Sequence, residues 1–424
     1  MGDERGRRRP VEQQVRAGAG GCVRRPAGNG EVDIAYLRPR PREGTPIVFL
    51  PGGPGLASAL PYRALRRRAV KRGLDVIMME HRGVGASRRD ITGADLAIEA
   101  VTGEAAADDL AAVLDATGVE RAVVYGSSYG TYLAQLFAVR HPGRVAGMVL
   151  DSPMLSAVDD VATVRAFRRD LLWKGPGRAA ALFRELLDAE QVPVPEASHV
   201  VQVVYEFAGP EVLERLLAAR LAGRALRTWR RVAELGAGEI EGPGTRFVME
   251  PDLVAGITHG ELGYGEAPDG LPLDPQELFS HHAADRPPFT GERVDLPAAL
   301  PHFAWPTAVV SGERDLRTPR PIAERIVELV PGAVLVPLPD LGHSAMDTHQ
   351  LAALNVAHVL AAGGLERLPD LTPRIAALPR RGASGKVGPV IRAALALELA
   401  LPGGRQGSPS SRGRGDHHRR GGEE

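Results

Sequence analysis

At 424 residues the chain is long for one ordinary domain, and it can bury a sizeable core with material left for a second lobe or for tails. Its 52 lysines and arginines balance 52 aspartates and glutamates, which argues against a net field aimed at nucleic acid, an anionic membrane or an acidic substrate. A single cysteine, Cys22, excludes an internal disulfide and any cysteine-based zinc cluster. The basic N-terminal stretch never becomes an apolar run, and no run reaches the ~18 residues of a spanning helix, so the cytoplasm is the expected address.

Residues 1–30 and 402–424 are rich in Gly, Arg, Pro and Ser, with few large apolar side chains to offset the entropy of ordering, and both are expected to be mobile arms. The tail could be taken for an RGG-like nucleic-acid segment, and His417 with His418 for a metal site, but a solvated low-complexity tail accounts for both. From Glu31 onward, strand-like and helix-like runs alternate. "EVDIAYL" alternates apolar and polar, "TPIVFL", "LDVIMM" and "ERAVVY" are short buried-strand runs, and "EAAADDLAAVLDATG" has helical spacing that ends on Gly118. A helix follows Tyr129, "HPG" stops it, and "RVAGMVL" is the next strand. This alternation predicts an α/β fold with a mostly parallel sheet covered on both faces, its first part at 31–153.

Between 154 and 303 the rhythm becomes helical, as in "GRAAALFRELLDAE", and then loop-rich, which predicts a cap inserted over one rim of the sheet. The α/β pattern resumes over 304–401 with "PTAVVSG", "PRPIAERIVELVPG", "AVLVPL" and a closing helix, followed by a C-terminal helical region.

"VVYGSSYGTYLAQL" spaces Gly126, Ser128 and Gly130 as G-x-S-x-G, after a strand and before a helix. That arrangement forces the central serine into a strained turn, and the flanking positions must be small because strand and helix backbones crowd there. The register selects Ser128 over Ser127 as nucleophile. A serine hydroxyl needs a base oriented by a carboxylate, expected downstream in the order acid then histidine. Asp315 in "SGERDLRTP" supplies the acid, with Glu313 and Asp340 as fallbacks, and His343 in "LPDLGHSAM" supplies the base. His349 and His358 fall inside the last helix and read as packing or surface residues. Donors for a developing oxyanion are expected from the Tyr129 N–H and from the Gly53 N–H of "PGGPG".

Taken together, "FLPGGPG", "EHRGVGAS", "GSSYGTYLAQLFAVRHPGRVAGMVLDSP" and "SGERDLRTP" with "GHS" resemble the α/β-hydrolase fold, and within it the proline iminopeptidase and tripeptidyl aminopeptidase group. The resemblance covers residues 31–155 and 303–363. Two positions depart from the group's pattern: Pro51 stands where the oxyanion loop usually begins with His, and Glu80 where Asp is usual. The resemblance implies hydrolysis of an amide or ester through an acyl-enzyme, with Arg82 structural. It also implies a cap carboxylate that holds a substrate ammonium, for which Glu261 in "GITHGELGYGE" is the first candidate and Glu206 in "VYEFAGPE" the second. Tyr205, Phe207 and Trp173 would line an apolar pocket or pack within the cap.

Three functions follow from this reading. The first is an aminopeptidase acting on short peptides, and the second an esterase, lactonase or amidase acting on a small metabolite. The third is a catalytically silent binding protein on a hydrolase fold. The partner expected is a small-molecule or short-peptide substrate. None of the three needs a cofactor or metal; "HHAAD" at His281 is the nearest approach to a metal-spaced set.

Overall fold

The structure, a computed structural model, describes residues 19–236, 244–280, 283–382 and 384–401. Helices of eight or more residues are numbered in chain order; shorter ones are named by residue range. The short apolar runs become the middle of an eight-stranded sheet in the order β1-β2-β4-β3-β5-β6-β7-β8. Strands β3 (Ile47–Leu50), β4 (Val76–Met79), β5 (Ala122–Ser127), β6 (Val145–Asp151), β7 (Thr307–Gly312) and β8 (Val334–Leu338) run parallel to their neighbours in that set. Every residue of β3, β4, β5 and β7 is buried, as a strand covered on both faces requires. Helices α1 (Arg63–Lys71), α2 (Gly103–Ala116), α3 (Tyr129–Arg140), α9 (Arg320–Leu329), α10 (Gln350–Ala361) and α11 (Leu368–Ala376) provide that cover. Their ends obey local chemistry: Thr102 caps α2 by accepting from the Ala105 N–H at 3.2 Å, and Gly118 just past its end takes φ +65°.

The expected N-terminal arm needs correcting. Gly20–Ala27 is strand β1, paired antiparallel with β2 (Gly30–Leu37) along its whole length, from Gly20↔Leu37 to Ala27↔Gly30. Its Gly, Arg and Pro content reads as a linker, but the strand lies on the sheet edge, where Pro26 costs no ladder bond. Arg24 pairs across the ladder with Asp33 at 2.6 Å, and Arg25 reaches the fully buried Asp109 of α2 at 3.1 Å. The remainder of the arm, residues 1–18, and the 402–424 tail lie outside the described residues, as do His281, His417 and His418.

The insertion divides into two parts. Helices α4 (Ala157–Leu172), α5 (Arg178–Asp188), α6 (Val194–Ala208), α7 (Pro210–Leu221) and α8 (Leu226–Ala233) build a cap with its own core of Phe183, Leu186, Val200, Leu213, Leu216 and Trp229. Tyr205, Phe207 and Trp173 pack against that core. From the second part, Val254, Ile257, Leu262 and Leu300 pack on the main core, while Leu273 joins the cap core and Asp274 and Asp269 pair with Arg165 and Arg169 of α4. The last helix, α12 (Val387–Ala400), leaves the sheet region and sinks Ile391 and Leu395 into the cap core. Among the described residues no helix is long and apolar enough to cross a membrane.

Leu395 is 1% exposed inside this cap core. Leu395→Ala should lower stability by about 2–5 kcal/mol, read as a shifted urea midpoint, through a cavity made within the cap.

Candidate active site

The elbow begins with crowding. A Cβ on Gly126 would lie 2.1 Å from the Gly130 carbonyl oxygen, and one on Gly130 would lie 2.1 Å from the Leu50 carbonyl oxygen. Only glycine fits where β5, α3 and the loop after β3 meet. The chain turns between the two glycines at Ser128, whose φ of 53° and ψ of −123° lie outside the regions a side chain prefers. Ser128 N–H donates to Asp151 O at 2.9 Å, and Thr131 Oγ1 donates to Ser128 O at 2.6 Å, so both peptide groups of the strained residue are fixed.

The oxyanion candidates lie in the first turn of α3 and in the loop after β3. Tyr129 opens α3, where first-turn N–H groups have no helical acceptor. Neither its N–H nor that of Gly53 donates to any described residue. Gly52 of the "PGGPG" loop packs against the serine: a Cβ added to it would lie 3.1 Å from Ser128 Cβ and 3.6 Å from its Oγ. The Tyr129 ring is clamped from behind. His81 Nδ1 donates to Arg82 O at 2.7 Å, which leaves Nε2 to accept from Tyr129 OH at 2.9 Å. Burial lowers the His81 pKa to about 4 and keeps the ring neutral. Glu80, at the position where the resembling group carries Asp, accepts from Ser58 and Ala59 N–H groups and holds the same loop. Arg82 forks onto Asp109 at 2.6 and 2.7 Å, a structural role.

The loops after β7 and β8 bring Asp315 and His343 together. His343 Nδ1 lies 3.0 Å from each oxygen of Asp315, and Asp315 also accepts from Arg317 N, Thr318 N and Thr318 Oγ1 at 2.9, 2.9 and 3.0 Å. Burial opposes ionisation of Asp315, but the charge and hydrogen bond of His343 outweigh it and hold the carboxyl below the usual range. Burial likewise disfavours a charged His343, and Asp315 overrides it, so the imidazole pKa is raised from its ordinary 6.5. Glu313 and Asp340 do not contact His343. Asp340 N–H donates to Glu313, Asp340 pairs with Arg314, and both acids are exposed.

Several residues that join these loops are not evident from the motifs. Ser127 Oγ donates to Ser344 Oγ at 2.8 Å and Ser344 N–H donates to Ser152 Oγ at 2.9 Å, so the neighbours of Ser128 and His343 are bonded directly. Asp151, at the end of β6, accepts from the Ala345 and Met346 N–H groups and from Tyr125 OH. The sequence carries one signal for this arrangement: Ser344 and Asp347 have the spacing of a capping box, and Ser344 caps the turn Ala345–Thr348.

The two cap acids are both already partnered. Glu261 accepts from Gly103 N–H at 3.1 Å and Tyr132 OH at 3.4 Å and pairs with Arg293 at 3.6 Å. Glu206 accepts from Leu316 N–H at 3.1 Å and from Arg317 Nε at 3.2 Å, and its backbone presses on Gly342. Glu206 therefore sits against both loops of the Asp315–His343 pair, whereas Glu261 anchors the start of α2. A different pair of carboxylates, Asp160 and Glu292, has no cationic partner among the described residues. Burial raises Asp160 to about 7 and the Glu292 charge adds to this, against hydrogen bonds from the Leu155 and Ser156 N–H groups. Among the described residues no group of three His, Cys, Asp or Glu side chains could hold a metal ion.

Comparisons with known proteins agree with this geometry at the level of fold. A family described as alpha/beta hydrolase fold matches residues 45–189. A probable proline iminopeptidase of Leptolyngbya boryana is 24% identical over 76% of this chain and 88% of its own length. A rhodomycin D methylesterase of Streptomyces sp. (strain C5) is 27% identical over 75% of this chain and 91% of its own. The crystal structure of the Mycobacterium smegmatis proline iminopeptidase superposes with a TM-score of 0.50 at 19% identity, over 84% of this chain and 99% of that one. The chain has the α/β-hydrolase fold, and its sequence relatives include proline iminopeptidases and methylesterases.

If His343 acts as a base it must be neutral, so kcat/KM should rise with pH through an apparent pKa above 6.5. Asp315→Asn removes what raises that pKa and leaves burial, which lowers it; the rising limb should move to lower pH while the plateau falls by orders of magnitude. The linked stability has the opposite sense. The raised His343 pKa stabilises the fold at pH below 6.5, and that contribution fades as pH climbs through the folded value. A pH-rate profile and a pH series of melts check both.

Proposed function

We propose that this protein is a serine hydrolase acting through an acyl-enzyme, and that its substrates are short peptides with a free N-terminal amine. The reading is carried by the buried His343–Asp315 pair, bonded at 3.0 Å and tied through Ser344 and Ser127 to a serine held at φ 53°. Ser128 Oγ attacks the carbonyl as His343 Nε2 takes its proton; the Tyr129 and Gly53 N–H groups receive the oxyanion. His343 then protonates the leaving group, and water, deprotonated by the same imidazole, releases the acyl product. Asp315 fixes the tautomer and steadies the imidazolium.

The peptide assignment rests on charge. Asp160 and Glu292 lie where the cap leaves the core, are only partly covered, and lack a cation; a substrate ammonium would supply it. They replace Glu261 and Glu206 as ammonium candidates, because those two already have cations. A second reading, an esterase, is favoured by the methylesterase relative, which matches as much of the chain as the iminopeptidase does.

A matched panel separates the two: Pro-, Ala- and Leu-linked fluorogenic amides, their N-acetyl forms, and short-chain nitrophenyl esters. The aminopeptidase reading expects cleavage of free-amine amides, its loss on N-acetylation, and a drop of about tenfold or more in kcat/KM for Asp160→Asn on amides alone. Turnover of esters only would transfer the site to the esterase reading. Ser128→Ala should be inactive in either case.

A further inference from the structure

One guanidinium near the Asp315–His343 pair has no task in the proton relay. Arg317, two residues beyond Asp315, donates from Nε to Glu206 at 3.2 Å, and its Nη atoms donate to no described residue. Its side chain is 46% exposed, whereas that of Glu206 is 1% exposed. Glu206 does not depend on Arg317 alone: it accepts the Leu316 N–H, and buried Arg168, which donates to Leu316 O at 2.6 Å, lies within reach of its charge. A counter-ion role uses one face of the guanidinium and leaves the other open.

Arg317 stands on the loop after β7, is bonded to Glu206 of α6 and is half-exposed, so its open side meets solvent where the cap joins that loop. The charge of Arg317 acts on His343 and on Tyr264, and Tyr264 also feels Asp160. Tyr264 OH reaches Met154 Sδ at 3.7 Å, Met154 N–H donates to Thr131 Oγ1 at 3.0 Å, and Thr131 Oγ1 donates to Ser128 O. Tyr264 is thus one short chain of contacts from Ser128 and near enough to Arg317 and Asp160 to feel both charges.

We propose that Arg317 is a subsite for a carboxylate carried on the leaving group of the substrate. In acyl transfer the carbonyl oxygen faces the oxyanion donors and the leaving group departs past the imidazole that protonates it. Arg317 neighbours the imidazole and so meets the leaving side. The two Nη groups form a planar fork that matches two carboxylate oxygens, as a point charge would not. A dipeptide zwitterion whose ammonium is held by Asp160 and Glu292 would have its terminal carboxylate left for Arg317. The subsite rests on the serine-hydrolase reading and holds for peptides and esters alike.

Two substrate pairs test it on wild type, Arg317→Gln and Arg317→Lys: Ala-Ala against Ala-Ala amide, and 4-carboxyphenyl acetate against phenyl acetate. Wild type should favour the carboxylate member of each pair by about tenfold in kcat/KM. Arg317→Gln should erase that preference, with the loss falling on the carboxylate member, and Arg317→Lys should restore part of it. No preference in wild type, or an equal loss on both members in Arg317→Gln, would overturn the proposal and leave Arg317 as a prop for Glu206. Preference within the ester pair without peptide turnover would sink the aminopeptidase reading and sustain the subsite. Calorimetry with benzoate and benzamide gives a readout independent of turnover: benzoate should bind wild type more tightly and lose that advantage in Arg317→Gln, and equal affinities would count against the subsite.

Discussion

Three backbone segments meet at van der Waals contact where β5 ends, and the site depends on that meeting. Gly126, Gly130 and the Leu50–Pro51 carbonyls stand so close that a single methyl group would part them. Because α3 must start against the strand it follows, Ser128 takes the left-handed turn between them, and its side chain is delivered to the carboxyl edge of the sheet. The same approach sets the "PGGPG" loop beside the serine. Position and strain thus come from packing, and the local polar contacts only fix what packing has decided.

From that edge, parts distant in sequence are assembled by short polar links. Asp151 ends β6 and holds the turn that follows His343; Ser127 ends β5 and holds Ser344; Ser152 holds the Ser344 N–H. Each link replaces water on a buried polar group, so breaking one leaves an unpaired partner and costs more than the bond contributes. The second serine of the elbow has a use of its own here: it fastens the loop that carries the imidazole.

Much of this was legible in the sequence, for identifiable reasons. Short apolar runs located the central strands and 3.6-residue periodicity their helices, because burial on both faces leaves few alternatives to Val, Ile and Leu. Gly126, Ser128 and Gly130 announced the elbow, and chain order singled out Asp315 and His343. Edge strand β1 was not legible, because an edge strand needs little apolar content and is fixed here by Arg24–Asp33 and Arg25–Asp109, which are tertiary facts. The partners of the cap acids were not legible for a related reason. Whether a carboxylate is free depends on Arg293 and Arg317, which approach Glu261 and Glu206 from 32 and 111 residues away. Composition shows charges, but only the fold shows which of them are already paired.

The path of the last helix changes how the cap is held. Before α12 begins, Arg381 O accepts from Gln350 N–H, and Gly382 presses on the Asp347 carbonyl, so the chain first touches the turn behind His343. It then passes Gly388 against the Phe207 carbonyl and seats Ile391 and Leu395 in the cap. The cap is therefore not a flap on two hinges but a lobe moored at a third point by a strap from the opposite end of the chain. A load placed on the C-terminus, such as a bulky fusion, would pull on the lobe above the cleft, while the sheet beneath it would feel little.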